Sequence, residues 1–144
     1  MSEEKWDFPI EKLLPYVDVF LPNIEEFKFL THSSTVEEGI KKVKSIAHYI
    51  IIKNGSQGAI AWDGKSLITQ PAFKNERVID CIGAGDSFNA GFIKDFINKK
   101  PLSKCLETGA LTGAISTTTA GGTTAFENME MIQKIALDRF NYTF

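Results

Sequence analysis

The chain has 144 residues, of which 43% are hydrophobic and 24% charged, and its formal net charge is -2 at pH 7. These values are typical of an ordinary globular protein, and we predict a single domain over residues 1–144. The slightly negative net charge argues against nucleic-acid binding, which needs a cluster of basic residues. No apolar run is long enough for a membrane span or a signal peptide. We therefore expect a cytoplasmic protein in which Cys81 and Cys105 are free thiols.

The first half of the chain alternates strand and helix patterns. Asn23 and Glu26 have the spacing of a capping box, and the β-branched run at 49–53 is the strongest strand signal. Asp63-Gly64 is a hairpin turn signal. The predicted elements, in chain order, are a strand at 17–21, a helix at 25–30, a helix at 35–45 capped by Thr35, and strands at 49–53, 59–62 and 66–69.

The second half is predicted to be helical. An amphipathic helix starts near residues 83–86, a small-residue helix runs over 102–119 and is ended by Gly121-Gly122, and a last helix covers 129–140. This order favours an α/β fold, with a doubly wound, mostly parallel sheet and a hairpin at its edge. Ligands in such sheets bind beyond the carboxyl ends of the strands. We therefore expect segments 23–26, 53–58 and 83–86 to face the same rim.

The stretch from Asp80 to Phe88 carries the most chemistry. A helix that begins near Gly83 exposes unpaired N–H groups, and Gly83 and Gly85 have no Cβ that would keep an anion away. The positive end of the helix dipole points to the same place. An acidic residue is unfavourable in an anion site unless it has a task, and to accept a proton from an attacking hydroxyl is one such task for Asp86.

The heptapeptide Asp80-Cys81-Ile82-Gly83-Ala84-Gly85-Asp86 resembles the second signature of the ribokinase-like (PfkB) carbohydrate kinases, D-T-x-G-A-G-D, with Cys81 in place of the usual Thr. The resemblance implies that the amides of Gly83, Ala84 and Gly85 form an anion hole for the transferring phosphoryl group. It also implies that Asp86 is the catalytic base. The alternative interpretation is a glycine-rich helix start that only packs tightly.

Pro22-Asn23-Ile24-Glu25-Glu26 resembles the N-x-x-E motif of the same family. The resemblance implies that Asn23 lies near the nucleotide phosphates and that Glu26 helps to hold Mg²⁺, mostly through water, as Mg²⁺ keeps several waters. The alternative is that both residues only cap a helix. The two roles are compatible.

Two further segments match the family in order. Lys53, Gly55 and Gly58 resemble its strand-end turn beside the nucleotide, where Lys53 would offset phosphate charge. Gly122 lies where the family has residues lining the adenine pocket and part of a monovalent-cation loop, and Asp80 is a candidate ligand for K⁺ there. The alternatives are an ordinary turn, a helix C-cap at Gly122 and a loop anchor at Asp80.

The resemblance implies an enzyme that uses ATP and Mg²⁺, with K⁺ as a further cofactor, to phosphorylate a hydroxyl of a sugar or similar small alcohol. It covers about residues 17–124 and only the C-terminal half of such a kinase. The Gly-Gly motif, the sugar-contacting residues and the lid of the N-terminal half have no counterpart. We therefore expect a fragment, a homo-oligomer or a separate N-terminal partner. Two alternatives stay open: a non-catalytic nucleotide-binding module or half of a hetero-oligomer, and a vitamin-precursor or nucleoside kinase of the same superfamily.

Overall fold

The computed structural model describes residues 9–121 and 124–144. Within them, residues 9–54 with 60–69 form one compact unit, and residues 55–59 with 70–121 and 124–144 form a second. No helix in these ranges combines the length and apolar character needed to cross a membrane. The single domain over residues 1–144 stays a prediction. The α-helices are α1 Ile10–Leu13, α2 Ile24–Leu30, α3 Val36–Val43, α4 Ala84–Ile97, α5 Leu102–Ser116 and α6 Met129–Phe140, and the strands are β1 Val19–Phe20, β2 Tyr49–Lys53, β3 Ala59–Trp62 and β4 Leu67–Gln70.

The sheet is four-stranded with the order β1-β2-β3-β4. Strands β1 and β2 are parallel, with Val19 opposite Tyr49 and Phe20 opposite Ile50. The loops from β2 to β3 and from β3 to β4 are too short for a crossover, so these neighbours run antiparallel. The α/β class and the hairpin at the edge are therefore confirmed. The expected mostly parallel sheet is wrong, because β2, β3 and β4 follow one another without an intervening α-helix, so two of the three strand pairings are antiparallel and the sheet is mixed. The doubly wound arrangement stays a prediction.

The core of the first unit forms between helices and one face of β2. The side chains of Ile50, Ile51 and Ile52 are all 0% exposed, and because strand residues alternate between faces, both faces of β2 are covered. The apolar residues Val36, Ile40 and Val43 of α3 are buried, and Thr35 caps that helix, as predicted, by accepting the Glu38 N–H at 3.1 Å. The buried cluster contains Ile10, Leu14, Phe27, Val36, Ile40, Val43, Ile50 and Ile52.

Glycines allow helices α4 and α5 of the second unit to pack closely. A Cβ on Gly91 would lie 2.3 Å from Thr112 Oγ1, and one on Gly109 would lie 3.1 Å from the Phe88 ring. The Thr112 hydroxyl donates to the Ser87 carbonyl at 2.7 Å, which ties the first turns of α4 to α5. The start of α4 is therefore fixed by packing as well as by its own sequence.

Helix α5 ends earlier than the glycine signal predicts. It stops at Ser116, whereas the expectation was a helix to residue 119 ended by Gly121-Gly122. The hydroxyls of Ser116, Thr117 and Thr118 each donate to a carbonyl one turn back, at 2.8, 2.6 and 2.7 Å. Such bonds give the backbone carbonyls hydrogen-bond partners other than the amides of a continued helix. The three successive hydroxyl residues therefore favour an end of α5 before the glycines.

Candidate anion-binding site

Helix α4 begins at a residue with a left-handed backbone. Gly83 is its N-cap, with φ +79° and ψ 0°, and no side chain caps the helix. Glycine adopts this conformation without the steric penalty that other residues meet. The predicted helix start near residues 83–86 is confirmed, and the N-terminal amides of α4 are not covered by a capping side chain.

Some of the backbone amides at the start of α4 have a hydrogen-bond acceptor in the protein and others do not. The Ser87 N–H donates to the Gly83 carbonyl at 2.9 Å, and the Ala84 N–H makes a long bond of 3.3 Å to the Cys81 carbonyl. Across residues 9–121 and 124–144, no protein acceptor contacts the N–H of Gly85 or Asp86. Two unengaged donors at the positive end of a helix dipole form a site suited to an anion. The anion-hole roles of Gly83, Ala84 and Gly85 stay predictions.

Asp86 occupies the first turn of α4 and its side chain is exposed. Within the described chain its carboxylate has no hydrogen-bond or ion-pair partner. An acidic residue here stabilises the helix through the dipole, typically by about 0.3–1 kcal/mol. The same exposure makes the carboxylate accessible as a proton acceptor beside the anion site. The role of catalytic base stays a prediction.

Asp80 anchors the loop that precedes α4. Its Oδ1 accepts the Ile82 N–H at 2.8 Å, and its Oδ2 accepts the Gly121 N–H at 3.1 Å. These bonds, the one from Ile82 first, lower the pKa of the Asp80 carboxyl below its ordinary value. This is the loop-anchor geometry, and it leaves the monovalent-cation role a prediction. The described residues contain no cluster of three or more His, Cys, Asp or Glu side chains suited to a metal.

In the first unit, Asn23 and Glu26 form a complete capping box. The Asn23 N–H donates to Glu26 Oε2 at 3.0 Å, and the Glu26 N–H donates to Asn23 Oδ1 at 2.8 Å. The capping role is therefore confirmed. Asn23 also lies beside Lys53, because the Lys53 N–H donates to the Pro22 carbonyl at 3.0 Å and an isolated parallel bridge joins Asn23 to Lys53. The structure thus brings these predicted nucleotide contacts together at the end of β2, and their ligand roles stay predictions.

Gly55 and Gly58 both have a positive φ, but only at Gly58 do neighbouring atoms exclude a side chain. A Cβ on Gly55, where φ is +51°, would meet nothing within 4 Å. A Cβ on Gly58, where φ is +95°, would lie 2.0 Å from the Gln70 carbonyl oxygen, so packing excludes any side chain there. Gly55 therefore presents open backbone, whereas Gly58 is fixed by its neighbour. Gly122, the last predicted nucleotide contact, lies outside the described residues.

Sequence reasoning missed two kinds of residue that position the site. Asn75 and Thr117 hold the segment before α4 through side-chain and backbone hydrogen bonds, and such contacts have no sequence signature beyond the turn-forming tendency of Asn. The glycines Gly109 and Gly113 had a usable signal. Their spacing of one helical turn places two residues without side chains on one face of α5, as close helix packing requires.

Comparison with known proteins assigns the family. The model of the "pfkB family carbohydrate kinase" family matches residues 1–129. The chain belongs to the pfkB family. The heptapeptide of residues 80–86, which resembled this family on sequence grounds, therefore lies in a pfkB chain at the start of a helix.

Three pfkB relatives illustrate the match. The ribokinase of Lactococcus lactis subsp. lactis is 38% identical over 81 residues, covering 56% of this chain and 26% of the relative. The structure of Arabidopsis thaliana ribokinase complexed with ribose and ATP has a TM-score of 0.77 at 26% identity and covers 90% of this chain and 44% of that one. A fructokinase double mutant from Vibrio cholerae, bound to fructose, ADP and potassium, has a TM-score of 0.73 at 27% identity and covers 92% and 46%.

The chain spans less than half of the length of each of these relatives. The pfkB family and the ribokinase-like fold are shown by these matches, whereas the activity, substrates and partners of a whole enzyme are matters for proposal.

Proposed function

We propose that this chain provides the nucleotide-binding and catalytic-base part of an ATP-dependent kinase that phosphorylates a hydroxyl of a sugar or similar small alcohol. The observation that carries the proposal is the start of α4, where the N–H groups of Gly85 and Asp86 have no acceptor among the described residues and the exposed Asp86 carboxylate lies in the same turn. One short segment thereby supplies both the N–H donors for a phosphoryl group and the carboxylate that accepts the proton of the substrate hydroxyl.

The proposed reaction is a displacement at the γ-phosphorus of ATP. Asp86 accepts the proton of the substrate hydroxyl as its oxygen forms a bond to phosphorus and the bond to the ADP oxygen breaks. Amides of the 83–86 turn donate to the phosphoryl oxygens, where negative charge develops. Because such amides are fixed before the reaction, they need little reorganisation in the transition state.

The ions of the proposed reaction need oxygen ligands. Asn23 and Glu26 carry such ligands, and Glu26 Oε1 is not used in the capping box, so these side chains fit an ion held partly through water. When bound, Mg²⁺ neutralises charge on the nucleotide phosphates. Asp80 is proposed for K⁺, and the potassium in the structure of the similar fructokinase supports the choice of this cation.

The first test measures MgATP binding by calorimetry, together with phosphoryl transfer to a panel of sugars. Binding without transfer is the result expected of a nucleotide-binding part that needs a further segment for catalysis. Binding with transfer would mean that the chain assembles a complete site unaided, as an oligomer would. Absence of both, in a sample shown to be folded, would overturn the proposal.

The substitution Asp86→Asn tests the base. It removes the proton acceptor and keeps the shape, so in the intact enzyme transfer should fall by at least 10²-fold, as expected for a general base, while MgATP affinity changes little. Asp138→Asn is the matched control, because Asp138 is also an exposed acidic residue on a helix, α6, outside the proposed site. Equal transfer rates for Asp86→Asn and Asp138→Asn would rule out Asp86 as the base.

A further inference from the structure

The segment that leads into the anion site has no regular structure. Residues 71–81 contain neither helix nor strand, so their backbone donors need partners elsewhere. Thr117, the C-cap of α5, supplies one such partner. Its carbonyl accepts the Ile79 N–H at 2.9 Å and the Asp80 N–H at 3.4 Å. The position of Asp80 therefore depends on the position of Thr117.

Asn75 is bonded to Thr117 from the same segment. The Asn75 Nδ2 donates to Thr117 Oγ1 at 3.0 Å. Its Oδ1 accepts the Arg77 N–H at 3.1 Å and a longer bond of 3.4 Å from Arg139 Nη1 on α6. Two N–H donors converge on Oδ1, which identifies that atom as the carbonyl oxygen. The NH₂ group must then face Thr117.

The bond between Asn75 and Thr117 has a fixed direction. The Thr117 hydroxyl proton is already donated to the Ala114 carbonyl at 2.6 Å, so Oγ1 can act only as an acceptor towards Asn75. An Asp at position 75 would keep an oxygen for the Arg77 amide and would place its other oxygen against Thr117 Oγ1. A donor is therefore required at this position, and of Asn and Asp only Asn supplies one.

We infer that Asn75 is a positioning residue for the anion site. It holds the side chain of Thr117, whose carbonyl holds the backbone of Asp80, and Asp80 in turn fixes the loop from which Gly83 starts α4. The phosphate-binding consequence rests on the proposed function. The placement of the amides is a property of the free chain and is measured separately.

The test uses the whole chain labelled with ¹⁵N, in the variants Asn75→Asp, Thr117→Val and Thr117→Ser. The first two should each speed hydrogen exchange at the Ile79 and Asp80 amides by roughly threefold to tenfold, the range expected for one lost hydrogen bond, and should shift the Gly85 amide resonance. The Kd for MgATP should rise by a similar factor. Thr117→Ser keeps the hydroxyl and should behave as the unmodified chain.

The matched control is Asn98→Asp. Asn98 lies at the other end of α4, where its Nδ2 donates to the Lys94 carbonyl at 2.8 Å, so the substitution removes a similar bond far along the helix from Gly83. It should leave exchange at Ile79 and Asp80, the Gly85 resonance and the Kd unchanged. The double variant Asn75→Asp with Thr117→Val should be no worse than the more affected single variant, because both remove the same bond.

The outcomes separate the two proposals. If Asn75→Asp and Thr117→Val leave exchange at Ile79 and Asp80 and the Gly85 resonance as in Asn98→Asp, Asn75 is not a positioning residue. If one of them does not fold, the other decides in the same way. If the unmodified chain does not bind MgATP, the proposed function fails, and the exchange data on the free chain still confirm or reject the positioning role.

Discussion

Gly83 is the residue on which the geometry of the anion site depends most directly. Its φ of +79° lies in the left-handed region, and the first amides of α4 follow from that turn of the backbone. Gly83→Ala should destabilise the chain by about 1–2 kcal/mol, because a Cβ meets the following carbonyl in this conformation. If the helix start shifts to relieve the strain, MgATP affinity should also fall. Urea unfolding and calorimetry measure the two effects.

Gly64→Ala is the control for that prediction. Gly64 has φ +95° in the turn between β3 and β4, and a Cβ there would meet nothing nearer than 3.9 Å. The backbone penalty should therefore be similar, without a change in MgATP affinity. Equal loss of affinity in both variants would show that the effect at Gly83 reflects stability alone.

The pH dependence of the loop belongs to Asp80. Its pKa is lowered because the ionised carboxylate accepts N–H groups from Ile82 and Gly121. A lowered pKa in the folded state contributes stability above the ordinary Asp pKa of about 3.9, and that contribution is lost as the pH falls through the lowered value. In ¹⁵N spectra, the Ile82 and Gly121 amides should therefore shift together at a pH below the ordinary range of Asp. Persistence of this transition in Asp80→Asn would assign it to another group.

At the scale of single elements, the capping box at the start of α2 allows the role of Asn23 as a helix cap to be tested separately from its proposed contact with the nucleotide. Asn23→Ala should cost about 1 kcal/mol of stability, with a range of 0.5–2 for lost N-caps. If Asn23 also contacts the nucleotide, MgATP affinity should fall by more than this loss of stability explains. Thermal unfolding and calorimetry in Mg²⁺ measure both.

The chain offers a matched control for Asn23 in Asn128. Asn128 is the N-cap of α6 and accepts the Met131 N–H at 2.7 Å, so Asn128→Ala removes the same kind of cap from another helix. It should lower stability without changing MgATP affinity. Equal effects of both substitutions on affinity would leave Asn23 with its capping role only.

Sequence reasoning predicted best those elements that are encoded locally. β2, β3 and α6 have the predicted boundaries, since a β-branched run and a 3.6-residue periodicity are properties of the segment itself. The first strand was predicted over 17–21 and is found only at 19–20, because its pairing depends on β2 rather than on its own residues. The parallel fraction of the sheet was overestimated for a related reason, since it depends on which strands become neighbours.

The site was predictable to a similar extent. The signature correctly indicated a helix start at Gly83 with open amides, because glycine spacing and helix dipoles are local properties. The tether from Asp80 to Gly121 joins residues 41 positions apart, and the partner could not be read from either end. The hydrogen bond between Asn75 and Thr117, which are 42 positions apart, could not be predicted from the sequence for the same reason.

At the scale of the whole molecule, calorimetric unfolding tests whether residues 1–144 behave as a single domain. The single-domain prediction requires one transition in which the calorimetric and van't Hoff enthalpies agree. Two separable transitions would contradict it, and would correspond to the two compact units. MgATP at a hundred times its Kd should stabilise the native state by about 2.7 kcal/mol and raise the transition temperature. A transition that does not respond to MgATP would contradict the proposed nucleotide binding.

The bond from the Gly121 amide to Asp80 has a consequence for the order in which the chain acquires its structure. Helices α4 and α5 follow each other directly, so their pairing closes a short loop and should be fast. The Asp80 tether closes a longer one and needs α5 to have ended at its proper residue. During refolding, helix formation should therefore be detected before the chain becomes able to bind nucleotide. A fluorescent ATP analogue added at successive delays would report the maturation of this loop as a kinetic phase of its own.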